Sequence, residues 1–350
     1  MAVPGRAIRV SVLLVSFIAS FSASDTTTAQ GGGRAQSTPN VFKLEELTYP
    51  DITALDRQKT MFLLPVGAVE EHGPHLPLGA DTFGLMHEAN GAAARVGRTL
   101  PDWNVVLMPP VNYGNSGANH IGRVFVHPGT YEIRRSTLRS LIADIGGQAA
   151  QNGFKWIFVL NGHSGPGHNI SINEACDFVS ETFGVTMLHV TALFRVDPAL
   201  QARGQKIAAQ HFSAAELSSF GMDAHAGVGE TSGMLAVRPD LVRPVYKKLP
   251  ARSGQTFEEL IAVATEPGWQ GYLSAPARAT AAYGAAMEGF WIDGFTDLIV
   301  RAVRGENMFI HPRFPLSVAP AVASMANQAA SHEAAFEAKL EAWLRQRKKP

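Results

Sequence analysis

The sequence predicts an α/β fold in which helices cover both faces of a mostly parallel sheet. Two observations support this prediction. Short apolar runs alternate with segments of helical spacing, and the polar motifs come directly after the apolar runs. Such alternation is typical of βαβ units, in which the chain leaves one strand and returns through a helix to the next. Sites in such sheets form at the carboxyl ends of the strands, where these motifs lie.

Four apolar runs are predicted to be buried strands, because parallel strands covered on both faces are apolar along their whole length. In chain order they are Met61–Val66, Val105–Met108, Trp156–Leu160 and Val185–Val190. The segments of helical spacing are Thr82–Val96, Ser136–Gln151, Ile170–Phe183 and Gly289–Val303. An Ala-rich helical tail is predicted over Val318–Arg347, and we expect it to pack or to support oligomerisation.

The composition excludes several classes of protein. The chain has 350 residues, of which 46% are hydrophobic and 17% charged, so it is not a disordered, self-repelling chain. Thirty Lys and Arg balance thirty Asp and Glu, which argues against nucleic-acid binding. Cys176 is the one cysteine beside twelve histidines, which excludes an intrachain disulfide and thiolate metal sites. Any metal site must therefore use histidine and carboxylate ligands.

The first residues have the layout of a secretory signal peptide, predicted here over residues 1–29. Arg6 and Arg9 precede the apolar run Val10–Ala19, and small residues follow. The run is short for a transmembrane helix, and an uncleaved membrane anchor is the alternative. Residues 30–40 are predicted to be a flexible linker, residues 41–316 the main folded domain, and residues 317–350 the helical tail. We expect a periplasmic or secreted protein with no stable membrane anchor after cleavage.

The densest group of chemistry-bearing residues follows the first predicted strand. Glu70 and His72 alternate there, so on extended backbone they point the same way. A turn rich in Gly and Pro then lets Asp81 fold back toward them. Carboxylate with neutral imidazole suits Zn, Mn or Fe. A solvated loop of charges is the alternative, but the position directly after a buried strand favours a metal site.

Two further polar segments follow later in the chain. Asn161-Gly162-His163 comes directly after a predicted strand, which favours His163 as a ligand over a Gly-rich anion-binding loop. The segment from His225 to Ser232 contains Glu230, for which helix capping is the alternative to a functional role. The two earlier segments in the same chain favour function for this one.

With these segments in view, the chain resembles the creatininase (creatinine amidohydrolase) family from about Leu47 to Val303. The run from Glu70 to Asp81 is similar to the family's leading signature. His127-Pro128-Gly129-Thr130, Asn161-Gly162-His163 and the segment from His225 to Ser232 follow in the family's order. The resemblance implies a three-layer α/β/α sandwich and a homo-oligomer, often a hexamer. It also implies hydrolysis of a non-peptide C–N bond in a small cyclic amide or related amide.

Carried over residue by residue, the resemblance implies two divalent metal ions per subunit, with Zn expected first and Mn or Fe as alternatives. Their ligands would be Glu70, His72, Asp81, His163 and Glu230. Asp81 would bridge the two metals, with Glu70 and His163 on one metal and His72 and Glu230 on the other.

The ligand set departs from creatininase itself at one position. Creatininase has a glutamate ligand two residues after the histidine that His163 matches, and this chain has Gly165 there. Glu230 is expected to take its place. His225 matches the residue that the family assigns to proton transfer. We therefore predict catalytic roles for His225, Asp81 and Glu230.

The predicted function is hydrolysis of a small-molecule amide, in which metal-bound hydroxide attacks the carbonyl and His225 protonates the leaving nitrogen. Two alternatives remain. The chain could be an exported non-catalytic metal- or ligand-binding protein, or the same metals could serve deformylation or the ring opening of a cyclic keto compound. Creatininase has a substrate-stacking tryptophan in the stretch matching Glu216–Met222, which has none here, so creatinine is not the expected substrate.

Overall fold

Five parallel strands form the centre of the computed structural model, which describes residues 40–117, 121, 127–314 and 323–347. The strands are β1 (Val41–Lys43), β2 (Thr60–Val66), β3 (Asn104–Leu107), β4 (Trp156–Asn161) and β5 (Thr186–His189), and they lie in the order β1-β3-β2-β4-β5. Every neighbouring pair is parallel. The predicted α/β fold with a mostly parallel sheet is confirmed. The predicted signal peptide and most of the predicted linker lie outside the described residues.

Successive residues of the central strand β2 point to opposite faces, and each face meets its own helices. Met61 and Leu63 pack in one buried cluster, and Phe62 and Leu64 pack in the other. All seven residues of β2 are buried. Each fully buried side chain of this size stabilises the fold by about 1.5–3 kcal/mol, so the sheet is the framework on which the loops are held.

Eleven α-helices occur in the described residues, and several of them pack on one face or the other of the sheet. In chain order they are α1 (Tyr49–Ala54), α2 (Ala80–Thr99), α3 (Arg135–Gln151), α4 (Pro166–Phe183), α5 (Val190–Phe194), α6 (Pro198–His211), α7 (Ala214–Phe220), α8 (Val228–Val237), α9 (Phe257–Thr265), α10 (Ala281–Val303) and α11 (Ala323–Arg347). Residues of α2, α5 and α10 share the cluster of Met61, and residues of α3 and α4 share that of Phe62. No helix of the described ranges is both long enough and apolar enough to span a membrane.

The element boundaries differ from the predicted ones in ways that matter for the site. Helix α2 begins at Ala80, so Asp81 lies in its first turn. The strand predicted to end at Val190 ends at His189, because Val190 is already the first residue of α5. Helix α10 begins at Ala281, where the Thr280 hydroxyl accepts a hydrogen bond from the Tyr283 amide.

The segments on either side of the predicted domain form hydrogen bonds with it. The Asn40 side chain, at the end of the predicted linker, donates to the Trp103 carbonyl at 2.6 Å. In the tail helix α11, Glu333 accepts hydrogen bonds from Asn115 Nδ2 at 2.9 Å and from the Arg135 amide at 3.1 Å. The tail therefore packs against the first turn of α3. The domain limits themselves stay predictions.

Candidate metal centre

The predicted site residues come together at the carboxyl edge of the sheet. Strands β2 and β4 are neighbours that end in register, with Val66 paired to Asn161. The loops that follow them carry Glu70, His72 and His163. Asp81 and Glu230 lie in the first turns of α2 and α8. The positive end of a helix dipole stabilises a carboxylate at that position.

Asp81 lies between two histidines and faces one with each oxygen. His163 Nδ1 lies 3.1 Å from Asp81 Oδ2 and 2.9 Å from Glu70 Oε2. His72 Nε2 lies 3.3 Å from Asp81 Oδ1 and 3.6 Å from Glu230 Oε2. Two groups of ligand atoms result, each within 4.8 Å: Glu70 with Asp81 and His163, and His72 with Asp81 and Glu230. The two groups have Asp81 in common.

The chemistry of these atoms fits divalent metal ions. The His72 Nδ1–H donates to the Glu70 carbonyl at 3.0 Å, which fixes the tautomer and leaves the Nε2 lone pair facing the carboxylates. Among the described residues, nothing completes a hydrogen bond to His72 Nε2 or to Asp81 Oδ2. Both side chains are buried, and buried carboxylates require a cation or a proton. A metal ion in each group would supply the missing partner.

Without metal, the two histidines hold their protons tightly, and the carboxylate between them stays ionised. Burial lowers the pKa of His163, but the charges of Glu70 and Asp81 outweigh burial and raise it to about 10. Burial also lowers the pKa of His72, and Asp81 and Glu230 raise it well above its ordinary value. Burial raises the pKa of Asp81, and the two histidines bring it well below the usual range. The site is therefore built for positive charge between its carboxylates.

A shell of buried polar residues, which the sequence did not reveal, holds the candidate ligands in place. Ser116 Oγ donates to Glu70 Oε1 at 2.5 Å. Asn161 Nδ2 donates to the His163 carbonyl at 2.6 Å, and its oxygen accepts from His168 Nε2 at 3.0 Å. Such outer partners orient metal ligands. The sequence gives little indication of this shell, because a helix and a strand lie between Glu70 and Ser116 in the chain.

His225 lies beside the two groups. Its ring centre is 4.6 Å from that of His72, and its Nε2 is 3.7 Å from Glu71 Oε1. It also forms a third group of ligand atoms with Glu70 and His72. Burial and the charge of His72 lower the pKa of His225, and Glu71 together with Glu70 outweighs them and raises it. The two carboxylates thus favour the protonated form of His225 next to the centre.

The geometry gives a physical reason for Gly165 in place of a glutamate. A Cβ at this position would collide with His163 Nε2, so a side chain here would displace the histidine. Glu230 reaches the centre from α8 instead. Its Oε2 accepts a hydrogen bond from the Ala226 amide at 2.5 Å while facing His72. Ala226 has a φ of 49°, which turns the chain sharply between His225 and α8.

Comparison with known proteins gives a consistent result. The family model for creatininase, described as creatinine amidohydrolase, matches residues 45–299. The mycofactocin precursor peptide peptidase of Mycolicibacterium smegmatis is 32% identical over 258 residues, covering 69% of this chain and 85% of that protein. The creatinine amidohydrolase of Pseudomonas putida is 29% identical over 205 residues, covering 56% and 72%. A solved creatininase of Zn-Zn type has a TM-score of 0.57 and 25% identity, covering 77% of this chain and 99% of its own.

The family match spans the whole sheet after β1, both groups of candidate ligand atoms and His225. The fold, the two groups of histidine and carboxylate ligand atoms and the similar proteins all indicate the same family. The chain belongs to the creatininase family of metal-dependent hydrolases.

Proposed function

We propose that this protein is an amidohydrolase that holds two divalent metal ions and cleaves the C–N bond of a small amide. The observation that carries the proposal is Asp81, whose two oxygens face two separate histidines at 3.1 and 3.3 Å. A carboxylate in that position is suited to bridge two metals. A single structural ion pair would not need a second histidine.

The five predicted ligands divide between the two metals. Glu70 and His163 would hold one metal, His72 and Glu230 would hold the other, and Asp81 would bridge them. Nitrogen and oxygen donors without thiolate suit Zn, and they also suit Mn or Fe. Metal ions bound by these residues would activate water and polarise a carbonyl group.

The chain's own residues supply the proton transfer. His225 lies beside His72, and its Nε2 is 3.7 Å from Glu71 Oε1, a position in which the carboxylate favours the protonated imidazole. A protonated imidazole next to the reacting bond donates its proton to the leaving nitrogen, which is general acid catalysis. Asp81 and Glu230 would act as ligands that hold the metal ions beside the substrate. Ser116 keeps Glu70 in position through its hydrogen bond.

The substrate class has two candidates. A small amide is the first, and a cavity of about 290 Å³ bordered by Asp81 and Glu230 has the size for it. An amide bond in a short peptide is the second, because one relative is a peptidase of a precursor peptide and covers 69% of this chain.

Activity and metal content should be measured together on the purified protein. Cyclic amides, formamides and short peptides would be screened with Zn and with Mn, and bound metal would be quantified. Metal-dependent hydrolysis with two metal equivalents per chain is expected. Full metal occupancy without hydrolysis of any of these amides would contradict the proposal and favour a non-catalytic metal-binding protein.

We also propose that the chain is exported and forms a homo-oligomer, with a hexamer expected from the family. The basic, apolar and small-residue order of the first residues supports export. The mass of the protein from each cell fraction tests the first part, because cleavage near Ser24 or after Ala29 leaves a shorter chain outside the cytoplasm. Light scattering on the mature protein tests the second part.

A further inference from the structure

The cavity beside the candidate metal centre contains two carboxyl groups that the proposed reaction does not use. Glu88 comes from α2 and Glu288 from α10, and both line the cavity that Asp81 and Glu230 border. Only 8% of Glu88 and 7% of Glu288 is exposed. Glutamate is almost never buried to this degree unless it is paired.

Glu288 lacks a partner for one of its oxygens. No described residue forms a hydrogen bond with Glu288 Oε2. The carboxyl group sits against glycines of two neighbouring helices, Gly84 of α2 and Gly233 of α8. A Cβ at position 233 would lie 3.0 Å from Glu288 Oε1, so the glycine leaves the room that the carboxyl group occupies. The helices thus surround a carboxyl group of which one oxygen, Oε2, has no hydrogen-bond partner in the described chain.

Arg195 is the one Lys or Arg among the described residues that line the cavity, and several carboxylates already act on it. The charges that act on Arg195 are those of Glu230, Glu88 and Asp81. Its guanidinium lies over the Trp291 ring at 5.5 Å. Glu288 is left facing the like charge of Glu88.

Two buried carboxyl groups without a cation of their own retain a proton. Burial raises the pKa of Glu88 to about 8, against the opposing charge of Arg195. Burial and the charge of Glu88 raise the pKa of Glu288 to about 9. A cation placed between the two groups would allow both to ionise, because it would offset their mutual repulsion.

We propose that Glu88 and Glu288 form a subsite for an organic cation, the ammonium or guanidinium group of a ligand whose other end reaches Asp81 and Glu230. The other walls of the cavity favour an organic cation over a bare metal ion. Trp291 and Met287 offer apolar surface to the carbon chain of such a ligand, and carboxylates bind guanidinium through paired hydrogen bonds. The identification of this ligand as the substrate rests on the proposed hydrolase function.

Calorimetric titration of the zinc-loaded full chain tests the subsite without relying on turnover. The probes are n-butylguanidinium and its neutral counterpart n-butylurea. We expect the cation to bind at least tenfold more tightly than the urea. Glu288→Gln should remove that preference and leave the weak binding of the urea unchanged. Glu181→Gln is the matched control, because Glu181 is exposed on α4, and it should bind both probes as the unaltered protein does.

Metal quantification and a second variant complete the experiment. Glu88→Gln should lose the preference as Glu288→Gln does, with both variants keeping the metal content of the unaltered protein. Equal binding of the two probes, or an unchanged preference in both variants, would overturn the subsite. A metal equivalent lost from Glu288→Gln would also overturn it, in favour of a metal ion at this place. Tight cation binding by a protein that hydrolyses no amide would contradict the proposed function and still support the subsite.

Discussion

At the scale of single residues, Asp81 is the point on which the centre depends. Each of its oxygens faces a different histidine. Asp81 is also the residue that belongs both to the group with Glu70 and His163 and to the group with His72 and Glu230. Its place in the first turn of α2 holds it rigidly, because the helix backbone fixes the direction of the side chain.

Asp81→Ala should remove both metals and hydrolysis together. The substitution takes one ligand from each group, and the remaining two ligands per metal make a weak site. Metal content by mass spectrometry and amide hydrolysis would be compared with Asp144→Ala, an exposed control on α3 that should behave as the unaltered protein. Retention of two metal equivalents in Asp81→Ala would contradict the bridging assignment.

His225→Ala should keep both metals and lose turnover by about 10²–10⁴-fold, which is the usual contribution of a general acid. The reason is its position beside His72 and outside the two groups that share Asp81. The exposed His87 on α2 supplies the control variant His87→Ala. Loss of a metal would instead make His225 a ligand, as the third group of atoms allows, and unchanged turnover would remove it from the reaction.

At the scale of elements, the strands and long helices were predictable because each has its own period or apolar run. The predicted β2, β4, α3 and α4 lie where the structure has them, within a few residues. The three-residue strand β1 was missed because it is too short to show a pattern, and it is only partly buried. Helices α1 and α5 to α9 were also missed. Of these, α8 is short and apolar on most sides, so no helical face is visible in its sequence.

The contact between α8 and α10 gives a test at this scale. Gly284 of α10 lies against the Ser232 carbonyl of α8, and a Cβ there would collide with that backbone oxygen. Gly284→Ala should therefore lower the free energy of unfolding by about 1–3 kcal/mol, as overpacking usually does. Because Glu230 lies on α8, metal affinity should fall as well.

Gly289→Ala is the matched control on the same helix. No atom lies within 4 Å of a Cβ at this position, so alanine should stabilise α10 by about 0.5–1 kcal/mol through its helix propensity. Denaturant unfolding of both variants makes the comparison. Equal stability of the two variants would contradict close packing between α8 and α10.

At the scale of the whole molecule, stability should depend on both pH and metal. In the metal-free protein the pKa of His163 is lowered by burial and raised by Glu70 and Asp81 to about 10, above its ordinary value of 6.5. A group whose pKa rises on folding stabilises the fold fully below its unfolded value, and this stabilisation is lost as the pH rises toward the folded value. Metal ions compete with that proton for the same nitrogen.

The gain in melting temperature on adding Zn should consequently be larger at about pH 8 than at about pH 6, since fewer protons oppose metal binding there. Differential scanning calorimetry with and without metal measures this gain. The control is Asp81→Ala, in which the gain should be small at both pH values. A gain that is the same at both pH values in the unaltered protein would contradict the competition between proton and metal.

The sequence alone predicted the fold class and five of the residues that meet at the centre. Those features are local: a strand is visible as an apolar run, and Glu70, His72 and Asp81 lie within one loop and the helix turn that follows it. Only the tertiary structure decided which carboxylate faces which imidazole, and that Ser116 holds Glu70.

The proximity of Glu88 and Glu288 shows most clearly what a sequence cannot predict. Each lies in an ordinary helix, and the two are 200 positions apart in the sequence, so no spacing or motif connects them. They meet because α2 and α10 pack on the same face of the sheet, where burial turns two residues that are common on surfaces into a pair of buried carboxyl groups. The packing of separate elements determines how deeply such side chains are buried and how far apart they lie. Local sequence patterns do not predict either quantity.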